Sequence, residues 1–366
     1  MDRPLTPTGG AAPPKPAKRR AKPAVKSINL ALQGGGAHGA YTWGVLDRLL
    51  DEERVEIAAI SGTSAGALNG FALKMGLAQS RDHARENLNW LWRQMGAITD
   101  MRMANWLTHF GPATAQVARA VELAFAQPLM EMMSNAVSPY AYGPFYENPL
   151  ERIVRKFDFS QVGDCGGPRL MISATNVRTG KIRVFEDAEI TDDVVLASAC
   201  LPTVFQGVKI TDPKTGVEDV FWDGGFTGNP ALFPLYATDL PEDILIVNIN
   251  PLERKEMPLS PMEIANRVNE ISFNSSLLRE LRAAEFVQRL IAQGRMPEGA
   301  MKNVHVHMVS DDRLMNELSA TTKLIPTPIL LSRLFDAGRV AADRFLEDHF
   351  DDLNERGTID LKEMFS

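Results

Sequence analysis

Cysteine is scarce: the 366 residues hold two, Cys165 and Cys200. That excludes a disulfide framework, and neither cysteine has a metal-ligand spacing, so no metal is expected and a reducing, cytoplasmic setting is. Long apolar runs are missing as well. The longest uncharged window, Ile57 to Leu73, is interrupted by Ser61, Gly62, Thr63, Ser64, Gly66, Asn69 and Gly70. It suits a strand, a turn and a helix start, so no membrane-spanning helix is expected. Internal repeats are lacking. With 45% hydrophobic and 23% charged residues, the composition excludes collagen-like and wholly disordered classes.

Basic charge is also in deficit, since the formal net charge is −7, which argues against a nucleic-acid partner. The average hides an asymmetry. Residues 1–26 carry seven Lys/Arg against the single acid Asp2, a charge of +6, which leaves −13 on the remainder. Six prolines and no apolar run predict that this tail is disordered, and no apolar stretch follows its basic residues as a signal peptide requires. Each basic residue near an anionic lipid surface contributes about 1 kcal/mol. The tail is therefore read either as a transient contact to such a membrane, peripheral to it, or as a solubilising extension.

What is present is an alternation. Ser27 to Leu32 reads as a buried strand, followed by a glycine turn at 34–39 and a helical pattern from Ala40 to about Leu50. A second strand, Ile57 to Ile60, meets a second glycine turn and another helix. Repeated strand, turn and helix predict a three-layer α/β/α sandwich with a mainly parallel central sheet, whose strand ends carry function. Further strands are expected at Leu170 to Ala174, Lys181 to Phe185, Val220 to Trp222, Ile244 to Asn248 and Val304 to Val309.

A helical insertion is expected over about 80–150. Its stretch 95–150 is poor in charge and rich in Met95, Met101, Met103, Met130, Met132 and Met133, which suits core, an oligomer contact or an adaptable apolar lid. Pro261 to about Gln293 has apolar residues at 264, 268, 271, 278, 281 and 290, the pattern of a long amphipathic helix against the sheet. A last helix, Ile329 to about Phe350, leads into an acidic C-terminal segment, 351–366.

Gly34, Gly36 and Gly39 fit G-x-G-x-x-G between a strand and a helix, with Glu53 and Glu56 roughly 20 residues on, formally a dinucleotide fingerprint. The same backbone geometry serves a phosphate or the oxyanion of a tetrahedral intermediate, so the motif alone does not decide. Gly62-Thr63-Ser64-Ala65-Gly66 adds G-x-S-x-G between a strand and a helix, the setting of a nucleophile elbow. A serine needs a base. Val220 to Trp222 runs into Asp223-Gly224-Gly225, which puts a carboxylate at a strand end.

Together these residues resemble the patatin-like phospholipases, through GGGAHG at 34–39, GTSAG at 62–66 and DGG at 223–225. ASACLP at 197–202 and Asn229-Pro230 support the likeness, which covers roughly 27–350. The resemblance implies a serine acyl hydrolase acting on lipid esters through a Ser64/Asp223 dyad, without metal or cofactor. Gly62 and Gly66 would shape the elbow, and Gly224 and Gly225 the Asp turn. The turn Gly34, Gly35, Gly36, Ala37, His38 and Gly39 would bind the oxyanion, chiefly through the N–H groups of Gly35, Gly36 and Ala37. An ordinary aspartate, with pKa near 3.9, is a feeble base at neutral pH. Burial beside Trp222 is expected to raise it. The family usually has Arg or Lys where this chain has His38, which either makes the turn pH-sensitive or only fills space. The motifs do not read a headgroup, so phospholipid, lysophospholipid and neutral glyceride all remain open.

Two rival enzymes stay open: a Ser-His-Asp esterase drawing on His305, His307 or His349, and a dinucleotide-binding oxidoreductase built on Gly34 to Gly39. A catalytically silent lipid-binding protein is a third reading.

Overall fold

The structure is a computed structural model that describes residues 25–107, 138–159, 162–163, 166–254, 256–297, 299–318 and 320–365. The tail 1–24, the stretch 108–137 with Met130, Met132 and Met133, and Cys165 lie outside the described residues.

Among the described residues eight strands form one sheet. They are β1 (Lys26–Leu32), β2 (Val55–Gly62), β3 (Arg169–Asn176), β4 (Ile182–Glu186), β5 (Val208–Thr211), β6 (Glu218–Asp223), β7 (Asp243–Val247) and β8 (His305–Val309). Their order is β5-β6-β3-β2-β1-β7-β8, with β4 also on β3. The run from β3 through β8 is parallel, while β4, β5 and β6 pair antiparallel. β5 was not expected: its sequence Val-Lys-Ile-Thr has no apolar run, because an edge strand leaves one side chain in two to solvent.

Helices cover both faces. α1 (Gly39–Asp51), α2 (Ala65–Leu77), α3 (Arg81–Leu107), α4 (Glu151–Val154), α5 (Asp192–Ser198), α6 (Pro261–Ala292), α7 (Asp312–Glu317), α8 (Pro328–His349) and α9 (Leu361–Met364) follow in chain order. Alternation along β1 divides the core. Ile28, Leu30 and Leu32 pack with α1, α2, α3 and α8, whereas Ala31 joins Ile244, Ile246, Leu277 and Leu281 under α6. The result is the expected three-layer α/β/α arrangement. α1 and α8 cross closely because Gly44 and Gly338 carry no Cβ; one added at either would lie 2.0 or 2.1 Å from a carbonyl oxygen of the other helix.

α6 corrects one expectation. Its N-terminal half leaves Ile264, Val268 and Ile271 exposed and buries Glu270, Asn274 and Ser276 instead. The polar residues face inward because they meet polar partners there: Glu270 holds Arg254 at 2.6 Å, and Asn274 donates to the Pro251 carbonyl at 3.0 Å. Further along, Leu281 packs on the sheet as expected, but its companions there are Leu277 and Ala284, while Leu278 is only half-buried.

At the opening edge of β7, buried Asp243 accepts from Asn354 N–H at 2.7 Å and pairs with His307 Nε2 at 2.9 Å and His305 Nδ1 at 3.4 Å. Asn354 also bonds Ser27, so this cluster fastens the C-terminal loop to β1. Although burial opposes its ionisation, hydrogen bonds from His305, His307 and Asn354 hold the Asp243 carboxyl well below the usual carboxylate range. Asp243 itself raises the pKa of His305. The depressed acid contributes stability above pH ~4 that is lost on acidification; the raised histidine contributes fully below pH ~6.5, and that part fades as pH rises. Asp243→Asn is accordingly expected to cost about 3 kcal/mol at pH 6 and less at pH 8.5, read from urea unfolding at both pH values. An equal cost at the two would contradict the linkage.

Candidate active site

β2 ends at Gly62 and α2 begins at Ala65, so Thr63 and Ser64 must reverse the chain within two residues. Ser64 adopts φ 55° and ψ −121°, a strained conformation for a residue with a Cβ. The surroundings hold it there. Its N–H donates to Ser198 Oγ at 2.9 Å, and Ser198 Oγ donates in turn to the Ser173 carbonyl at 2.7 Å. Thr63 is locked by its hydroxyl, 2.8 Å from the Gly228 carbonyl. Gly66 lets the turn press on β1, since a Cβ there would lie 2.1 Å from the Leu32 carbonyl oxygen.

The first glycine turn follows β1 and lies against the second. A Cβ on Gly34 would fall 2.6 Å from that of Ser64. Gly34 N–H donates to Asn229 Oδ1 at 2.6 Å, and His38 N–H donates to the Gly35 carbonyl. Gly35, Gly36 and Ala37 donate to no acceptor among the described residues. Gly36 has φ 58°, which suits glycine, and packs on the Lys323 carbonyl.

β6 runs antiparallel to β3, so Asp223 sits opposite Ala174 while Gly62 pairs with Ile172. Ser64 and Asp223 therefore flank the same stretch of β3. Asp223 is fully buried; Oδ1 accepts from Gly225 N–H at 2.8 Å, and Oδ2 has no completed hydrogen bond. Burial pushes its pKa up to about 7, against the opposing pull of the Gly225 N–H and the Ser64 hydroxyl. Trp222 is not what buries it. The indole lies beside Gly207, because successive strand residues face opposite ways. Asp223 is enclosed instead by the stretch around Cys200, whose carbonyl accepts its N–H at 2.8 Å, and by the turn at Gly225, on which Phe273 packs.

The profile of the patatin-like phospholipases matches residues 30–236, a span containing all three turns. The chain belongs to this family. It is thus a patatin-like phospholipase by family, a hydrolase of ester bonds. No curated protein matches the sequence. Among solved structures it is similar to VipD from Legionella pneumophila, with a TM-score of 0.40 and 15% identity over 88% of this chain and 67% of VipD. It is also similar to ExoU of the Pseudomonas aeruginosa type III secretion system, solved in complex with SpcU, with a TM-score of 0.30 and 14% identity. That match covers 88% of this chain and 53% of ExoU.

In this patatin-like chain the rival chemistries find no support in the geometry. His305 and His307 bind Asp243, which opens β7, while Ser64 lies beyond the closing end of parallel β2; His349 pairs with Asp352 at 2.9 Å. No histidine among the described residues hydrogen-bonds Ser64 or Asp223; His109 lies outside them. For a dinucleotide, the ribose-binding acid should lie beyond the closing end of β2. Glu53 and Glu56 are exposed at its opening end.

His38 is buried, with Nε2 2.7 Å from Thr322 Oγ1. Burial, then the charge of Lys323, push its pKa down to about 3. It is a neutral imidazole throughout the working range, which does not fit His38 as the source of any pH sensitivity in the turn. Among the described residues no cluster of His, Cys, Asp and Glu could hold a metal, and no helix is long and apolar enough to cross a membrane.

The sequence reading missed the residues that support the turns. Ser198 and Cys200 lie in the ASACLP stretch, so their signal was present and their role was not. Gln33, directly before the glycines, accepts from Ile249 N–H and Asn250 N–H at 2.9 and 3.1 Å and donates to the Asn229 carbonyl at 3.2 Å. Asn250 Nδ2 donates to the Gly34 carbonyl at 2.8 Å, and Lys323 Nζ donates to Asn250 Oδ1 at 2.7 Å. Nothing local marks Asn250 or Lys323.

Proposed function

We propose that the chain hydrolyses acyl esters of lipids through Ser64 and Asp223 without a histidine. The observation that carries this reading is the pairing of a strained serine at the start of α2 with a fully buried carboxyl whose Oδ2 has no completed hydrogen bond and whose pKa lies near neutrality. A base serves best when its pKa lies near the operating pH.

In the first step the Ser64 hydroxyl proton passes to Asp223 as Oγ bonds the ester carbonyl carbon. The carbonyl oxygen becomes an oxyanion, held by the free N–H groups of Gly35, Gly36 and Ala37. As the tetrahedral intermediate collapses, the bond to the alcohol breaks and the Asp223 proton leaves with it. Water then gives a proton to Asp223 and attacks the acyl-enzyme, and Ser64 departs with that proton as the fatty acid is released. Family membership is what supports a lipid substrate; the positive tail offers a route to anionic membranes from the cytoplasmic side.

Incubating the purified chain with vesicles of mixed phosphatidylcholine and phosphatidylglycerol, then quantifying free fatty acids by mass spectrometry, tests the substrate class. Release by wild type and none by Ser64→Ala is expected. Equal release by both proteins would overturn the reading.

A further inference from the structure

The glycine turn carries no cation of its own, because His38 is neutral, yet a cation reaches it from a distant part of the sequence. The segment Ala320–Lys323 lies over the turn. The Lys323 carbonyl packs against Gly36, where a Cβ would come within 2.2 Å of its oxygen, and Thr322 Oγ1 meets His38 Nε2. The Lys323 ammonium donates to Asn250 Oδ1 at 2.7 Å, and the amide of the same side chain donates to the Gly34 carbonyl at 2.8 Å.

That carbonyl shares its peptide unit with the N–H of Gly35. A charge on Asn250 Oδ1 polarises the side-chain amide and strengthens its hydrogen bond to Gly34. The polarised Gly34–Gly35 peptide then presents a more positive N–H. We propose that Lys323 is a positioning residue for the oxyanion turn, acting through Asn250 to fix the Gly34–Gly35 peptide and enhance Gly35 N–H as a donor. This rests on the reading of the turn as an oxyanion site. Lys323 touches no reacting atom.

The groups facing Lys323 leave it as the one that titrates in the working range. Glu270, on α6, is held as a carboxylate by Arg254 and Arg267 against the cost of its burial, Arg254 is a permanent cation and His38 is neutral. Burial lowers Lys323 to about 8. Its charge is present below that pH and is lost above it, so ester turnover should decline as pH rises through about 8.

The test compares wild type, Lys323→Met and Lys323→Arg on a soluble short-chain ester from pH 6 to 9.5, with phosphonylation by a fluorophosphonate and thermal unfolding in parallel. Lys323→Met should lower kcat about 10- to 50-fold with KM within about twofold, a smaller loss than deleting an oxyanion donor outright. Lys323→Arg, charged throughout, should recover most of kcat and abolish the alkaline decline. Wild-type kcat in a folded Lys323→Met, or an alkaline decline that persists in Lys323→Arg, would overturn the proposal. The arginine variant decides the matter even if the methionine variant fails to fold. Wild type that takes no label at Ser64 would remove the oxyanion reading and this inference with it, whereas labelled wild type with an unaffected Lys323→Met would remove Lys323 alone.

Discussion

Ser64→Ala is expected to lower ester turnover by at least about 10⁴-fold, since it removes the hydroxyl that takes the acyl chain in the proposed mechanism and knock-outs of serine nucleophiles in comparable hydrolases cost more than that. The fold should survive. The Ser64 backbone is held by Ser198 and by α2, neither of which uses its hydroxyl. A glycine at the same position separates strain from chemistry. With φ 55° the turn burdens serine and alanine alike, so Ser64→Gly should be as inactive as Ser64→Ala and more stable by about 1 kcal/mol. Steady-state turnover with thermal unfolding of the three proteins checks both parts. Residual turnover above about 1% in either variant would mean another nucleophile.

Asp223→Asn is the second large effect. Asparagine keeps the shape and cannot take a proton, so acylation should fall about 10³-fold. Stability should change in the opposite sense. Because the folded-state pKa is near 7 and the unfolded value near 4, the folded protein holds an extra proton between those pH values and loses stability as pH rises through them. Above pH 7 wild type carries a fully buried carboxylate, and Asp223→Asn is free of it. The variant should therefore be more stable than wild type at pH 8, on the order of a few kcal/mol, with the gap closing toward pH 4. A variant less stable than wild type at pH 8 would contradict a raised Asp223 pKa. Gain of stability with loss of activity is the behaviour of a site that holds an unfavourable group for its chemistry.

Much of this was legible in the sequence because the chemistry clusters locally. Gly-Thr-Ser-Ala-Gly between an apolar strand and a helix leaves the chain one way to turn, and Asp223 at the end of an apolar strand before two glycines is nearly as constrained. The mainly parallel sheet followed from the strand, glycine turn and helix that begin at Ser27 to Leu32 and then repeat. What stayed hidden depends on distance in sequence or on which side of a helix meets what. Lys323 acts on Gly34 through Asn250, three positions spread over nearly the whole chain. The apolar spacing of Ile264, Val268 and Ile271 pointed inward only on the premise that a helix buries its apolar side. Here polar partners, Arg254 and the Pro251 carbonyl, claim the inner face for Glu270 and Asn274. The burial of Asp223 was foreseen and its cause was not. Trp222 is its neighbour in sequence, whereas Cys200 and Gly225 enclose it in space.

The central claim, that Ser64 is acylated with Asp223 as base, is tested most directly by trapping the acyl-enzyme. Wild type mixed with an activated short-chain ester, quenched in acid within milliseconds and peptide-mapped by mass spectrometry, should carry one acyl group on Ser64. Its rate of formation should rise about tenfold per pH unit from pH 5 and level off near pH 7, as the Asp223 carboxyl ionises. An acyl group on any other residue, or a rate that does not change between pH 5 and pH 7, would contradict the account.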